Sequence, residues 1–426
     1  MLKPILWPVL IPFLLFAIGL GSIMPVLVLG ALSLGSTQAF AAAIVGIMGA
    51  VSLAATVPAG ILIDRLGDFR AMFVATAAAV IVLGAIITAF IWDSPYSLAV
   101  YTIALMVFGP VSDVWSLARQ AVVAEVMPAA DLAKAMTALG GTQRVGNLLG
   151  PMIGAGLMLV FPIWSVFALA GLAAIAAIVI MALPIARIPG FDDRQQRAEA
   201  AHPPAAAGGR GPKSGRDRRP PLDVHWRSVV LVGITIITLA AARAAQPVVI
   251  QLWGVEIGLH KSSISLVIAF GAGLELIVMF LGAYIKDHLG RIATLVACLT
   301  IFGSGFIIMR TLPELSGMVI AAAVMAFGNG LGAGVNMTIG ADLSPAVGRP
   351  RFLGIWAIFN NGGKLGGPTL LSLIITVTSL PFGVLFPGLL ALAGAVWILV
   401  WASAIDLPGR RGRLSPRRRS GKPPKD

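Results

Sequence analysis

A chain of 426 residues that is 58% hydrophobic and 12% charged, with a mean hydropathy of +0.93, cannot cover its apolar surface in water. A soluble enzyme and a disordered chain are excluded, and the single cysteine, Cys298, excludes a disulfide scaffold. The net charge of +13 is concentrated in residues 185–228 (+4) and 406–426 (+6), which marks membrane topology and contact with anionic headgroups rather than nucleic-acid binding.

A hydrocarbon core about 30 Å thick needs roughly 20 helical residues. By that measure the chain holds twelve predicted spans: 5–31, 38–63, 71–92, 97–124, 134–160, 163–186, 229–254, 262–285, 292–310, 315–341, 352–377 and 381–405. The first stays apolar too long for a signal peptide and reads as an uncleaved helix. Phe161-Pro162 and Leu380-Pro381 are tight turns where proline stops a helix. Trp7, Trp92, Trp164, Trp226, Trp253 and Trp401 fall near span ends, as interfacial anchors do.

Between the sixth and seventh spans, residues 187–227 are rich in Pro, Gly, Ala and charge and show no apolar period. That composition cannot bury a core and predicts a basic cytoplasmic linker. His202 and His225 lack the companions a metal site needs, so neither metal nor cofactor is expected. The chain divides into an N-terminal six-helix bundle (1–186), the linker (187–227), a C-terminal six-helix bundle (228–406) and a basic cytoplasmic tail (407–426). With both termini inside, the outer loops hold only Lys261 and Arg310. The inner loops hold Arg65, Arg70, Lys286, Arg291, Arg349 and Arg351 besides the two large basic segments.

The halves repeat. Asp64-Arg65-Leu66-Gly67 after the second span matches Asp287-His288-Leu289-Gly290 after the eighth. Phe108-Gly109 matches Phe327-Gly328. Glu125-Val126-Met127-Pro128 matches Asp342-Leu343-Ser344-Pro345, and Gly146-x-x-x-Gly150-Pro151 matches Gly363-x-x-x-Gly367-Pro368. Offsets of 217 to 223 place every match at the equivalent span of its half. Two parallel six-helix repeats joined by a linker form an architecture of secondary transporters, with the substrate site between them.

These residues carry a family resemblance over nearly the whole chain. Gly60-Ile61-Leu62-Ile63-Asp64-Arg65-Leu66-Gly67 resembles the signature between helices two and three of the major facilitator superfamily, and 283–291 is its weaker copy. Gly146-x-x-x-Gly150-Pro151-x-x-Gly154 resembles the helix-five motif of the drug/proton antiporter branch. The resemblance implies an all-α membrane fold of twelve helices and a conformational latch at the loop. Latch candidates are Gly60, Asp64, Arg65, Gly67, Arg70 and Glu125 in the first copy, and Asp287, Gly290, Arg291 and Asp342 in the second. Asp68 stands where the family usually has Arg, so Arg65 or Arg70 is the expected partner of Glu125; Arg291 is expected to meet Asp342. Gly60 is read as a point of close helix approach and Gly67 as a tight turn. Gly146 and Gly150 at four-residue spacing predict close packing of helix five.

Asp113, Arg119, Arg144, Arg243, Glu275 and Lys364 lie inside spans four, five, seven, eight and eleven. A charge at mid-bilayer costs at least about 2.5–3.5 kcal/mol and is expected to face a wet cavity or a partner. Asp113 and Glu275 are the proton-coupling candidates, each with a static ion pair as the alternative. Arg144, Arg243, Lys364, Asn329 and Asn360 are candidates for the cavity, and their cation excess suits an anionic group. Arg119, near the end of its span, is read as snorkelling.

The leading expectation is proton-coupled export of a small amphiphilic or anionic molecule by alternating access, from a monomer in the cell membrane with both termini cytoplasmic. Open alternatives are a proton/solute symporter importing a nutrient and a non-transporting sensor of the same fold. An intramembrane lipid-modifying enzyme would need a metal or nucleophile cluster, which the sequence lacks at its span ends. A nucleotide-driven pump would need a phosphate loop, which is absent from the sequence.

Overall fold

The computed structural model describes residues 5–92, 94–186, 224–345 and 349–405, without the side chains of 129, 130, 133, 280–289 and 349–351. Most of the linker, the basic tail and the Asp287 side chain therefore lie outside the described residues. Among the described residues, twelve helices follow in chain order. The first half holds α1 (Leu6–Ser33), α2 (Gln38–Leu66), α3 (Asp68–Ile91), α4 (Ser97–Val126), α5 (Ala129–Val160) and α6 (Trp164–Ala182). The second holds α7 (Trp226–Glu256), α8 (Lys261–Leu289), α9 (Arg291–Thr311), α10 (Leu315–Asp342), α11 (Arg349–Val377) and α12 (Leu380–Val400). Ten of these are long and apolar enough to cross a membrane. The other two, α5 and α11, are the glycine-motif helices, whose apolar runs are broken by Gln143, Arg144 and Asn147, and by Asn360, Asn361 and Lys364.

Local chemistry explains where helices start, stop and bend. The Thr37 hydroxyl accepts the Phe40 amide at 3.2 Å and caps α2. Gly67 (φ +80°) and Gly290 (φ +87°) turn the chain between α2 and α3 and between α8 and α9, in the left-handed region that only glycine enters freely. Two spans read as continuous are interrupted. In α1, Pro25 lacks the amide that would continue the ladder, and Met24–Val26 tightens to a 3₁₀ turn. In α10, Gly332-Ala333-Gly334 separates Leu315–Leu331 from Val335–Asp342, with Gly334 at φ +76°.

Each half is packed by the same rule. α1 lies against α5 and α6, α2 against α4, and α3 against α4 and α6. In the second half α7 lies against α11 and α12, α8 against α10, and α9 against α10 and α12. Between the halves, α2 meets α11 and α5 meets α8. α3, α6 and α12 turn Ile81, Leu172, Val179, Leu389 and Val396 outward, an apolar exterior suited to lipid.

Glycine sets the closest of these contacts. A Cβ at Gly150 would lie 2.5 Å from the Ile18 carbonyl oxygen and the Ser22 nitrogen, and Gly146 abuts the backbone of Ala17. On the other side, a Cβ at Gly363 would lie 2.5 Å from the Ile237 carbonyl oxygen, and Gly367 abuts Ala241. Gly154 has only ordinary contacts. A Cβ at Gly60 would meet nothing within 4 Å, so the close approach expected there is not made in this conformation.

Candidate functional site

The halves are joined at the end of the bundle opposite the termini. The break in α1 at Met24–Val26 leaves backbone groups without helical partners, and buried Gln251 of α7 meets them. Its Oε1 accepts the amides of Val28 (3.0 Å) and Leu29 (3.4 Å), while its Nε2 donates to the carbonyls of Met24 and Pro247 at 3.0 Å each. Nearby, Gln38 Nε2 donates to Glu256 Oε2 at 2.8 Å, and Ser372 Oγ donates to the Ala39 carbonyl at 2.8 Å.

Deeper in the bundle, two cavities open between the halves. The first, about 230 Å³, is bounded by α1, α5, α7, α8 and α10, and is lined by Asn147, Arg243, Gln246 and Glu275 among apolar residues. Asn329 Nδ2 donates to Glu275 Oε2 at 2.9 Å, and Arg144 of the opposite half brings its Nη1 to 4.0 Å from Glu275 Oε1. Arg243 Nη2 reaches the Asn329 carbonyl at 3.4 Å and Cys298 Sγ at 3.7 Å. Arg243 Nε and Asn329 Oδ1 are buried without a partner. Arg144 of α5 and Asn329 of α10 thus meet the Glu275 carboxylate of α8, and Arg243 of α7 lines the same cavity beside Asn329.

The second cavity, about 270 Å³, lies between α2, α4 and α11. Asp113 and Lys364 line it from opposite halves, with Ser52, Thr56, Ser116 and Asn361. Among the described residues, Asp113 and Lys364 do not close to an ion pair, in contrast to Arg144 and Glu275. Asn360 is not among the residues lining either cavity. Its Oδ1 accepts from Asn336 Nδ2 at 3.3 Å, and Trp356 Nε1 donates to Asn336 Oδ1 at 2.9 Å, a contact between α10 and α11. One residue of helical rotation puts Asn361 in the cavity instead.

Arg119 does not snorkel. It is buried with its guanidinium 3.5 Å from the Phe13 ring centre, and donates to Ser116 Oγ (3.3 Å) and Gln143 Oε1 (3.4 Å). Gln143 Nε2 in turn donates to Asn147 Oδ1 at 3.2 Å. Since Ser116 lines one cavity and Asn147 the other, this polar thread runs from the second to the first. Trp253 is likewise no interfacial anchor: it is buried, with Nε1 donating to the Met309 carbonyl at 3.0 Å.

The two copies of the loop motif differ. Arg291 Nε lies 3.1 Å from Asp342 Oδ2, the pairing expected in the second copy. In the first copy, Asp68 sits within the electrostatic reach of Asp64 and Glu125, so the position where the family carries a base adds a third acid.

Twelve helices in two equivalent bundles, with charged cavities between them, are the build of a secondary transporter. The chain belongs to the major facilitator superfamily: its sequence matches the Major Facilitator Superfamily model over residues 9–242 and 231–426. It is a multi-pass membrane transporter of that fold. Similar solved structures include a POT family transporter in complex with 5-aminolevulinic acid, at 11% identity and a TM-score of 0.72, covering 93% of this chain and 96% of the other. A POT family transporter with a thioalcohol-conjugated peptide shares 12% identity at a TM-score of 0.70, covering 93% and 96%. A peptide transporter POT in complex with sulfate shares 15% identity at a TM-score of 0.70, covering 94% of each chain. At these identities the likeness is one of fold. No curated protein matches the chain.

Proposed function

We propose that the chain is a proton-coupled transporter of a small amphiphilic or anionic molecule, working by alternating access in the cell membrane as a monomer with both termini cytoplasmic. The observation that carries this reading is the contact of Glu275 with Arg144 across the two halves, beside a cavity that Glu275 lines together with Arg243. An ionised Glu275 attracts Arg144 and draws α8 toward α5. Protonation removes that attraction and frees Arg144, which with Arg243 can then meet an anionic group. A loose contact at 4.0 Å suits a pair that must form and part during a cycle. Asp113 is the second candidate carrier. With cytoplasmic termini, the joined end is the outer one, and the conformation is open toward the cytoplasm.

Direction divides the readings. The glycine motif of α5, packed on α1, supports the exporter branch, in which proton and substrate exchange. The two arginines around one carboxylate favour a second reading, in which a proton on Glu275 and an anion on Arg144 and Arg243 travel together as a symport. Everted vesicles distinguish them under a panel of lipophilic cations, anions and neutral compounds. Exchange makes the vesicle interior lose protons as substrate enters, whereas symport makes it gain them. Either response is expected to disappear in Glu275→Gln. A response that survives in both Glu275→Gln and Asp113→Asn would overturn the assignment of the carrier.

A further inference from the structure

The second cavity holds two opposite charges that do not satisfy one another. Asp113 comes from α4 of the first half and Lys364 from α11 of the second, and both line the same space of about 270 Å³ without closing to an ion pair. Each charge carries a cost inside a membrane that a partner offsets. Two hydroxyls nearby have other partners: Thr56 Oγ1 donates to the Ser52 carbonyl at 3.1 Å, and Ser116 Oγ accepts from Arg119 at 3.3 Å. Asn361 supplies a neutral donor and acceptor beside Lys364, while Leu53, Leu117 and Leu365 give the space an apolar wall.

From this arrangement we infer that the second cavity is a binding site for a small zwitterion with an aliphatic body. The ligand's ammonium faces Asp113, its carboxylate faces Lys364, and its apolar part lies on the three leucines. A monocation or a monoanion can pair with only one of half-buried Asp113 and exposed Lys364, so the site favours a ligand that carries both charges. The inference goes beyond the proton-coupled reading and does not rest on it, because binding here needs no proton gradient and no Glu275.

Equilibrium calorimetry on the purified full-length protein at pH 7 tests it with three probes of one shape: leucine, leucine methyl ester and N-acetylleucine. Leucine is expected to bind at least about tenfold more tightly than either blocked compound, a difference of about 1.4 kcal/mol. Asp113→Asn is expected to lose the preference over N-acetylleucine, and Lys364→Met the preference over the methyl ester. If Asp113→Asn does not fold, Lys364→Met carries the test alone. Equal binding of all three probes, or no binding by a protein that still unfolds cooperatively, overturns the inference. So does loss of both preferences in Glu275→Gln, which would assign them to the first cavity. Failure of proton coupling in vesicles with these preferences intact would sink the transport reading and leave this site standing.

Discussion

In the first half, Gly146 and Gly150 of α5 lie on the backbone of α1; in the second, Gly363 and Gly367 of α11 lie on α7 in the same manner. The loops that follow α2 and α8 have not kept pace. The second copy closes an ion pair between Arg291 and Asp342, while the first gathers Asp64, Asp68 and Glu125. The difference follows from what each position tolerates. Where two backbones touch, only hydrogen fits, and no neighbouring change compensates for a side chain. At a helix end that water can reach, charges rearrange at small cost.

The sharpest way to break this comparison is to fill the glycine contacts. Gly150→Leu and Gly367→Leu are each expected to prevent folding, since even a Cβ there meets backbone, and overpacking by a few methylenes costs about 1–3 kcal/mol or more. Size-exclusion profiles of the purified variants check this. If one variant stays monodisperse while the other collapses, the halves are not equivalent in packing.

Next in size is Gln251→Leu. The matching stretch of α1, Leu27–Ser33, contains no glutamine, so this contact belongs to one half alone. Its loss leaves buried amides of Val28 and Leu29 unbonded, on the order of 1–3 kcal/mol. A cysteine introduced at Ala39 is expected to react with a hydrophilic maleimide several-fold faster in this background than with Gln251 intact. Equal rates would show that other contacts hold that end.

Smaller again is Arg291→Ala, expected to lower stability by about 1 kcal/mol or less in thermal unfolding. A double variant with Asp342→Ala should be no less stable than the more damaged single one; additive losses would mean the two residues act separately. The smallest effect is expected from Gly60→Ala, within about 0.5 kcal/mol, because nothing stands where the methyl would go. If Gly60 serves the latch in another conformation, the transport rate falls while the unfolding temperature does not.

The fold was legible because its signals are local. Span lengths and the glycine spacing each reside in one short stretch, and the pairing of Arg291 with Asp342, 51 positions apart, could be read because each belongs to a motif repeated between the halves. The two breaks were harder to see, since Pro25 and Gly332-Ala333-Gly334 sit in otherwise unbroken apolar runs. The site was half legible. Intramembrane charge singled out Glu275, Arg144 and Arg243, but their meeting depends on rotations of separate helices that no single segment encodes. The same rotations decide between Asn360 and Asn361. Arg119 was misread because its partner is an aromatic face, Phe13, more than a hundred positions away. Gln251 carried no signal at all: one amide in an apolar helix looks like any other polar contact until the gap in α1 is seen.

That gap has a consequence of its own. The buried part of the joint across the top of the cavities is a neutral amide against backbone groups, so salt and acidity act there only through the exposed contact of Gln38 with Glu256 beside it. What competes with it is the solvent. Each time the halves part there, water must take over the amides and carbonyls that Gln251 releases. The opening of this transporter is therefore expected to be sensitive to osmotic stress, with solutes that lower water activity holding that end shut.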